Sequence, residues 1–155
     1  MNKPIPEGYH SVTPSLTFKD SKRALEFYKK AFSAKVLDAF PTLDGKGLMH
    51  ATMQIGNSIL MMGDESPNCK TAEALGGSPV SMFIYVADAD VAFKQALAAG
   101  SILVMPVMDM FWGDRAGSVK DPFGYSWMIA THIKELSREE MRKGAEDFFA
   151  KMAKK

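Results

Sequence analysis

The sequence has one cysteine, Cys69, in 155 residues. No intramolecular disulfide can form, which excludes a stapled secreted scaffold and fits a reducing compartment. Long apolar runs are also missing. No segment approaches the roughly 18 apolar residues a membrane span needs, and the leader MNKPIPEGYH has no apolar signal core. Nor is there an excess of charge of one sign. The 19 Lys and Arg face 18 Asp and Glu, for a net charge of +1. Interleaved in this way they make a solvated surface, not a basic field for nucleic acid. The expectation is a cytoplasmic protein with no nucleic-acid or membrane partner. No Gly-rich loop follows a strand and opens a helix, and no Ser-His-Asp order or carboxylate pair stands out. No cofactor and no catalytic residue is assigned.

What is present is a pattern that occurs twice. The stretch Phe111–His132 holds an aromatic pair, a GDR tripeptide and two strand-like runs joined at Asp121-Pro122-Phe123-Gly124, which together read as a β-hairpin. An earlier stretch, MHATMQIGNSILMMGDE, echoes it. Ser11–Phe18 alternates as a strand does, and Asp20 is placed to cap a helix through Phe32, whose apolar residues fall on one face. Strands are expected at Lys35–Phe40, Leu48–Gln54 and Ser58–Met62. After a Gly- and Pro-containing linker, 63–79, the order restarts with a strand at Val80–Val86, a helix capped by Asp88, and strands at Ile102–Met108, Ala116–Lys120 and Tyr125–Thr131. Asp20 and Asp88, Ala24 and Ala92, and Gly56 and Gly124 share one spacing, which is the signature of a duplicated module.

These elements predict an α+β fold of two tandem βαβββ modules, repeats 11–63 and 79–132 of a single domain spanning 1–155, with a cleft between them. A further helix is expected over 137–153. Ser137 and Glu140 form a capping box, Lys151, Lys154 and Lys155 sit at the negative end, and Met141, Ala145, Phe148, Phe149 and Met152 make an apolar stripe.

LTFKDSKRALEFYKKAF, DGKGLMH, the WGDRAG tract and DPFGYSW, in a tandem βαβββ chain of this size, resemble the vicinal oxygen chelate superfamily. That superfamily includes glyoxalase I, bleomycin-resistance proteins and extradiol dioxygenases, and the likeness is to its PhnB-like branch. The resemblance implies a homodimer and a small-molecule ligand. In metal-using relatives, side chains on the first, fourth, fifth and eighth strands hold one divalent ion. Counted from the Asp20 cap and the hairpin turn, those positions fall on Thr13, Leu60 (or Met62), Ser81 and Met128. None is the imidazole or carboxylate such an ion wants, so no metal is expected.

The expected function is therefore metal-free binding of an apolar or aromatic ligand in the cleft between the repeats, among Leu60, Met62, Phe83, Phe111, Trp112 and Met128. Thr13, Ser81, His50 or Arg115 would fix its polar end. His50 alternates with Thr52 and is read as pointing into the cavity. Two residues carry alternatives. Arg115 either clamps an acidic ligand or pairs with Asp114 or Asp121, and Trp112 is either a stacking wall or a hydrophobic plug. A glyoxalase-like lyase or isomerase, with or without metal, is the alternative function. A protein-interaction module using the last helix is the third.

Overall fold

The computed structural model describes residues 3–154. Met1, Asn2 and Lys155 lie outside them. The first module runs β1 (Ser15–Phe18), α1 (Ser21–Phe32), β2 (Lys35–Pro41), β3 (Leu48–Ile55) and β4 (Ser58–Asp64). The second runs β5 (Ser81–Tyr85), α2 (Ala89–Ala98), β6 (Ile102–Asp109), β7 (Asp114–Lys120) and β8 (Ser126–His132), followed by α3 (Arg138–Met152). The sheets have equivalent orders, β1-β4-β3-β2 and β5-β8-β7-β6. In each, the first strand pairs in parallel with the last, and the remaining pairs are antiparallel. This is the tandem βαβββ architecture in the α+β class.

Both helices start where their caps predict. The Asp20 carboxylate accepts from Arg23 N and that of Asp88 from Val91 N, each at 3.0 Å. These bonds satisfy amides that the first helical turn leaves free. β1 starts four residues later than the alternation suggests, its register with β4 beginning at Ser15, just after Pro14 O accepts from Met61 N at 2.9 Å. The 63–79 segment is more than a linker. Its first residues complete β4, and Ala72 is buried in the core.

One apolar core lies between the helix layer and the two sheets. From the first module it takes Leu16, Phe18, Tyr28, Met53, Leu60 and Met62, and from the second Phe93, Val119, Trp127 and Ile129. An aromatic cluster crosses the module boundary, with Phe32 and Trp127 rings 4.6 Å apart and Phe18 edge-on to Phe123 at 5.2 Å. Polar bonds join the same seam. The Tyr125 hydroxyl donates to Thr17 O (3.0 Å) and accepts from Thr17 N (3.1 Å). Gln95 Nε2 reaches from α2 to Lys30 O at 2.8 Å.

The Ser137–Glu140 capping box forms as predicted and starts α3. None of this helix's residues is buried. It is held on the surface by Phe111, whose ring lies 5.8 Å from Phe148 and 6.3 Å from Phe149, while Phe149 and Met152 stay exposed.

Candidate ligand-binding site

Alternate residues of a strand face opposite sides of the sheet. In the second sheet, one side packs on α2 through Val119, Trp127 and Ile129. The other is set out in rows by the strand register. Phe83, Met128, Ser118 and Met105 form one row, and Tyr85, Ala130, Ala116 and Met108 the next. Met105, Trp112 and Met128 pack on buried Met110, Ala116 and Ala130. Phe83 and Tyr85, on the edge strand, are 47% and 65% exposed, with rings 5.2 Å apart. The result is an open apolar ledge. Ser81, Ser126 and Lys120 form a polar row at one end of it.

At the other end stand His132 and Asp114, paired across β7 and β8. Asp114 is 2% exposed and accepts from Trp112 Nε1 (2.8 Å) and the Tyr85 hydroxyl (3.0 Å), with His132 Nδ1 at 2.8 Å. Burial pushes the Asp114 carboxyl up, and the bonds from His132, Trp112 and Tyr85 outweigh it, so the group titrates below the usual carboxylate range. The other ring nitrogen of His132, Nε2, lies 3.1 Å from the exposed Glu135 carboxylate. A neutral imidazole can donate from one nitrogen only, so a ring between two carboxylates is favoured as imidazolium. The bonds to Asp114 and then to Glu135 raise the His132 pKa above its ordinary 6.5. A group raised on folding stabilises the folded chain below its unfolded pKa, and that contribution is lost as pH climbs through the folded value. Unfolding midpoints measured upward from pH 6.5 should therefore fall, and His132→Gln should flatten the decline.

The first sheet presents His50, Thr52, Met61 and Ser15 on the side away from α1. His50 Nε2 is 3.2 Å from Thr52 Oγ1, so these two residues share a face as the alternation predicts. The leader lies over part of this side and walls a pocket of about 420 Å³ with Thr13 and Met61. Between the modules, a cleft of about 950 Å³ runs from the β3–β4 turn to β5 and is bordered by Thr13, Gln54, Leu60, Phe83 and Tyr85.

Three of the expected ligand contacts need correction. Met62 is 1% exposed and belongs to the core under α1. Leu60, though packed on the core, does border the inter-module cleft. Phe111 packs its ring against α3. Arg115 points to the α2 side, where Nε and Nη2 grip Asp90 (2.6 and 2.9 Å) and Nη1 takes Asp109 (2.8 Å). Its partners are thus Asp90 and Asp109, not Asp114 or Asp121. Arg115→Met should leave small-molecule binding unchanged and lower the melting temperature only slightly, since the pair is exposed. Loss of binding in that variant would contradict this placement. Thr13 precedes β1, and its hydroxyl donates to His10 O at 3.3 Å. Ser81, Phe83 and Met128 do share one face.

Tyr85 and His132 were not among the expected site residues. The alternation Ser126, Met128, Ala130, His132 was the available signal, and it puts His132 on the same side as Met128.

Register also corrects the metal positions. Met128 pairs with Phe83 as Met61 pairs with Ser15, so the β4 counterpart of Met128 is Met61, not Leu60. Hydroxyls of Thr13 and Ser81 with thioethers of Met61 and Met128 do not fit a divalent ion of the kind metal-using relatives hold. No group of three His, Cys, Asp or Glu able to hold a metal occurs among the described residues.

The comparisons agree with this architecture. The family model described as Glyoxalase/Bleomycin resistance protein/Dioxygenase superfamily matches residues 9–129. An uncharacterized Mycobacterium bovis protein is 37% identical over 137 residues, covering 85% of this chain and 90% of its own length. Among solved structures, TioX from Micromonospora sp. ML1 superimposes with a TM-score of 0.64 at 24% identity, over 83% of this chain and all of its own. A PhnB protein from Bacillus cereus does so with 0.59 at 20% identity, covering 79% and 99%. With its two βαβββ modules and a family match running from the leader into β8, this chain belongs to the glyoxalase/bleomycin resistance protein/dioxygenase superfamily.

Proposed function

We propose that this protein binds a small apolar or aromatic molecule, without a metal, in the manner of the bleomycin-resistance type. The observation that carries the reading is the ledge of Phe83, Tyr85, Met105, Met108 and Met128, an uncovered apolar surface bounded at both ends by polar groups. Apolar walls with few, placed polar groups are what small-molecule sites have in common. Methionine and aromatic side chains adapt to flat ligands, and sequestration needs affinity alone.

A homodimer completes the site. Val36, Leu37 and Phe40 on β2 and Ile102, Leu103 and Val104 on β6 are all exposed, on an outer strand of each sheet. A second copy laid over these strands would turn the ledge into an enclosed cleft. No described helix is long and apolar enough to cross a membrane.

The test uses N-phenyl-1-naphthylamine, a neutral aromatic probe whose fluorescence rises in apolar surroundings. Saturable binding and a raised melting temperature are expected, both abolished by Met128→Glu, in protein whose elemental analysis shows no stoichiometric metal. A full equivalent of divalent metal per chain, with probe binding indifferent to Met128→Glu, would replace this reading with the enzymatic one.

A further inference from the structure

The ledge has one end whose chemistry is unusually specific, and what it selects deepens the binding proposal, on which it rests. His132 is half-exposed, its side chain 47% accessible, and its Nδ1 side is fixed by Asp114. Asp114 cannot move away, being buried and held by Trp112 and Tyr85 as well. The Nε2 side differs. Its partner Glu135 is three residues on in the chain, with a side chain 96% exposed. An exposed carboxylate of that kind can swing into water at little cost. A replaceable acid therefore sits on a fixed imidazole donor, at the rim of an apolar surface.

We propose that the His132 end of the ledge binds the acidic group of an aromatic or flat apolar ligand, with Glu135 occupying that position until the ligand displaces it. The ligand's carboxylate, sulfonate or phenolate would accept from Nε2, while its apolar body lies along Tyr85 and Met128, the latter packed over the buried Ala130. The strand sets the length. Met128 and His132 are four residues apart on β8, about 13 Å of strand, so an acidic group directly attached to a ring system of two or three rings reaches both. Asp114 is a positioning residue in this arrangement, holding the ring so that Nε2 faces outward.

The test pairs two fluorescent probes of similar size. N-phenyl-1-naphthylamine is neutral, and 8-anilinonaphthalene-1-sulfonate carries the acid. Each is titrated into wild type, His132→Gln and Glu135→Gln under conditions where the imidazolium persists. Glutamine at 132 keeps a donor toward Asp114, and position 135 is on the surface, so both variants are expected to fold, with circular dichroism as the check. The readout is the ratio of the sulfonate's affinity to the neutral probe's, which removes effects common to both. Loss of a charge-assisted bond predicts about a tenfold fall of that ratio in His132→Gln. Glu135→Gln, which removes the competing carboxylate, should raise it. Neutral-probe binding with a sulfonate ratio unmoved by either variant would overturn the acidic-end proposal and leave the binding reading standing. Failure of both probes to bind wild type would overturn the two together.

Discussion

Asp121→Ala is expected to destabilise the folded chain by about 4 kcal/mol, enough to lower the melting temperature by about 10 °C in a chain of this size. The carboxylate is 2% exposed and accepts four bonds. One oxygen takes the Tyr28 hydroxyl at 2.5 Å and Trp127 Nε1 at 2.8 Å, and the other takes the amides of Phe123 and Tyr125, both at 2.9 Å. Alanine would leave all four donors without an acceptor, at about 1–3 kcal/mol for each that neither water nor repacking rescues. The loss is also topological, because Tyr28 lies on α1 while the other three lie in the β7–β8 hairpin. Burial, and then the Asp121 charge beside it, raises the Tyr28 phenol well above its ordinary 10.0, so this link persists in alkali until that hydroxyl ionises. Tyr28→Phe removes one donor and should cost about 1 kcal/mol. Thermal melts of both single variants and the double variant measure the coupling. A melting temperature for Asp121→Ala within a degree or two of wild type would mean that the seam is held by apolar contact alone.

Gly113→Ala should cost about 3 kcal/mol and, unlike Asp121→Ala, should also disturb the candidate site. Gly113 has φ +98°, and an added Cβ would come within 2.1 Å of Lys134 O, a backbone atom that no side-chain rotation can clear. Its own carbonyl accepts from both Ile133 N and Lys134 N at 3.0 Å. The turn before β7 and the segment after β8 are thus clamped together, and Glu135 follows directly. Displacing this segment should separate Glu135 from His132 and let the His132 pKa fall back toward its ordinary value, measurable by NMR titration. Gly45→Ala is the control. That glycine also has positive φ, +69°, but nothing lies within 4 Å of the added atom, so only the backbone penalty of about 1–2 kcal/mol applies. Equal losses at the two positions would remove the argument from the Lys134 contact.

The contrast between those glycines runs through the whole chain. Helix starts were legible because capping works over a few residues: Asp20, Asp88 and Ser137 each sit beside the amides they satisfy. The order of elements was legible because apolar period changes along the chain, and the duplication showed because two copies carry the same caps. Facing was a different matter. The β3–β4 turn spans two residues between the paired Ile55 and Ser58, whereas β7–β8 spans five between Lys120 and Ser126. Those lengths differ by an odd number, so aligning Gly56 with Gly124 assigns the following strand to the wrong side in one module. Leu60 and Met62 were misplaced for that reason, and Met61 was passed over.

The polar partners show the same division. Composition and local pattern by themselves determined a duplicated βαβββ chain and its helix caps. Asp114 finds Tyr85 at a separation of 29 residues and His132 at 18, and Arg115 finds Asp90 at 25. A side chain with several oppositely charged or hydrogen-bonding candidates within reach of the sequence chooses among them only when strand register and sheet facing fix which are within about 3 Å. Tertiary structure made that choice here: it turned Arg115 toward the helix and left His132, held by a buried carboxylate, at the edge of the apolar ledge.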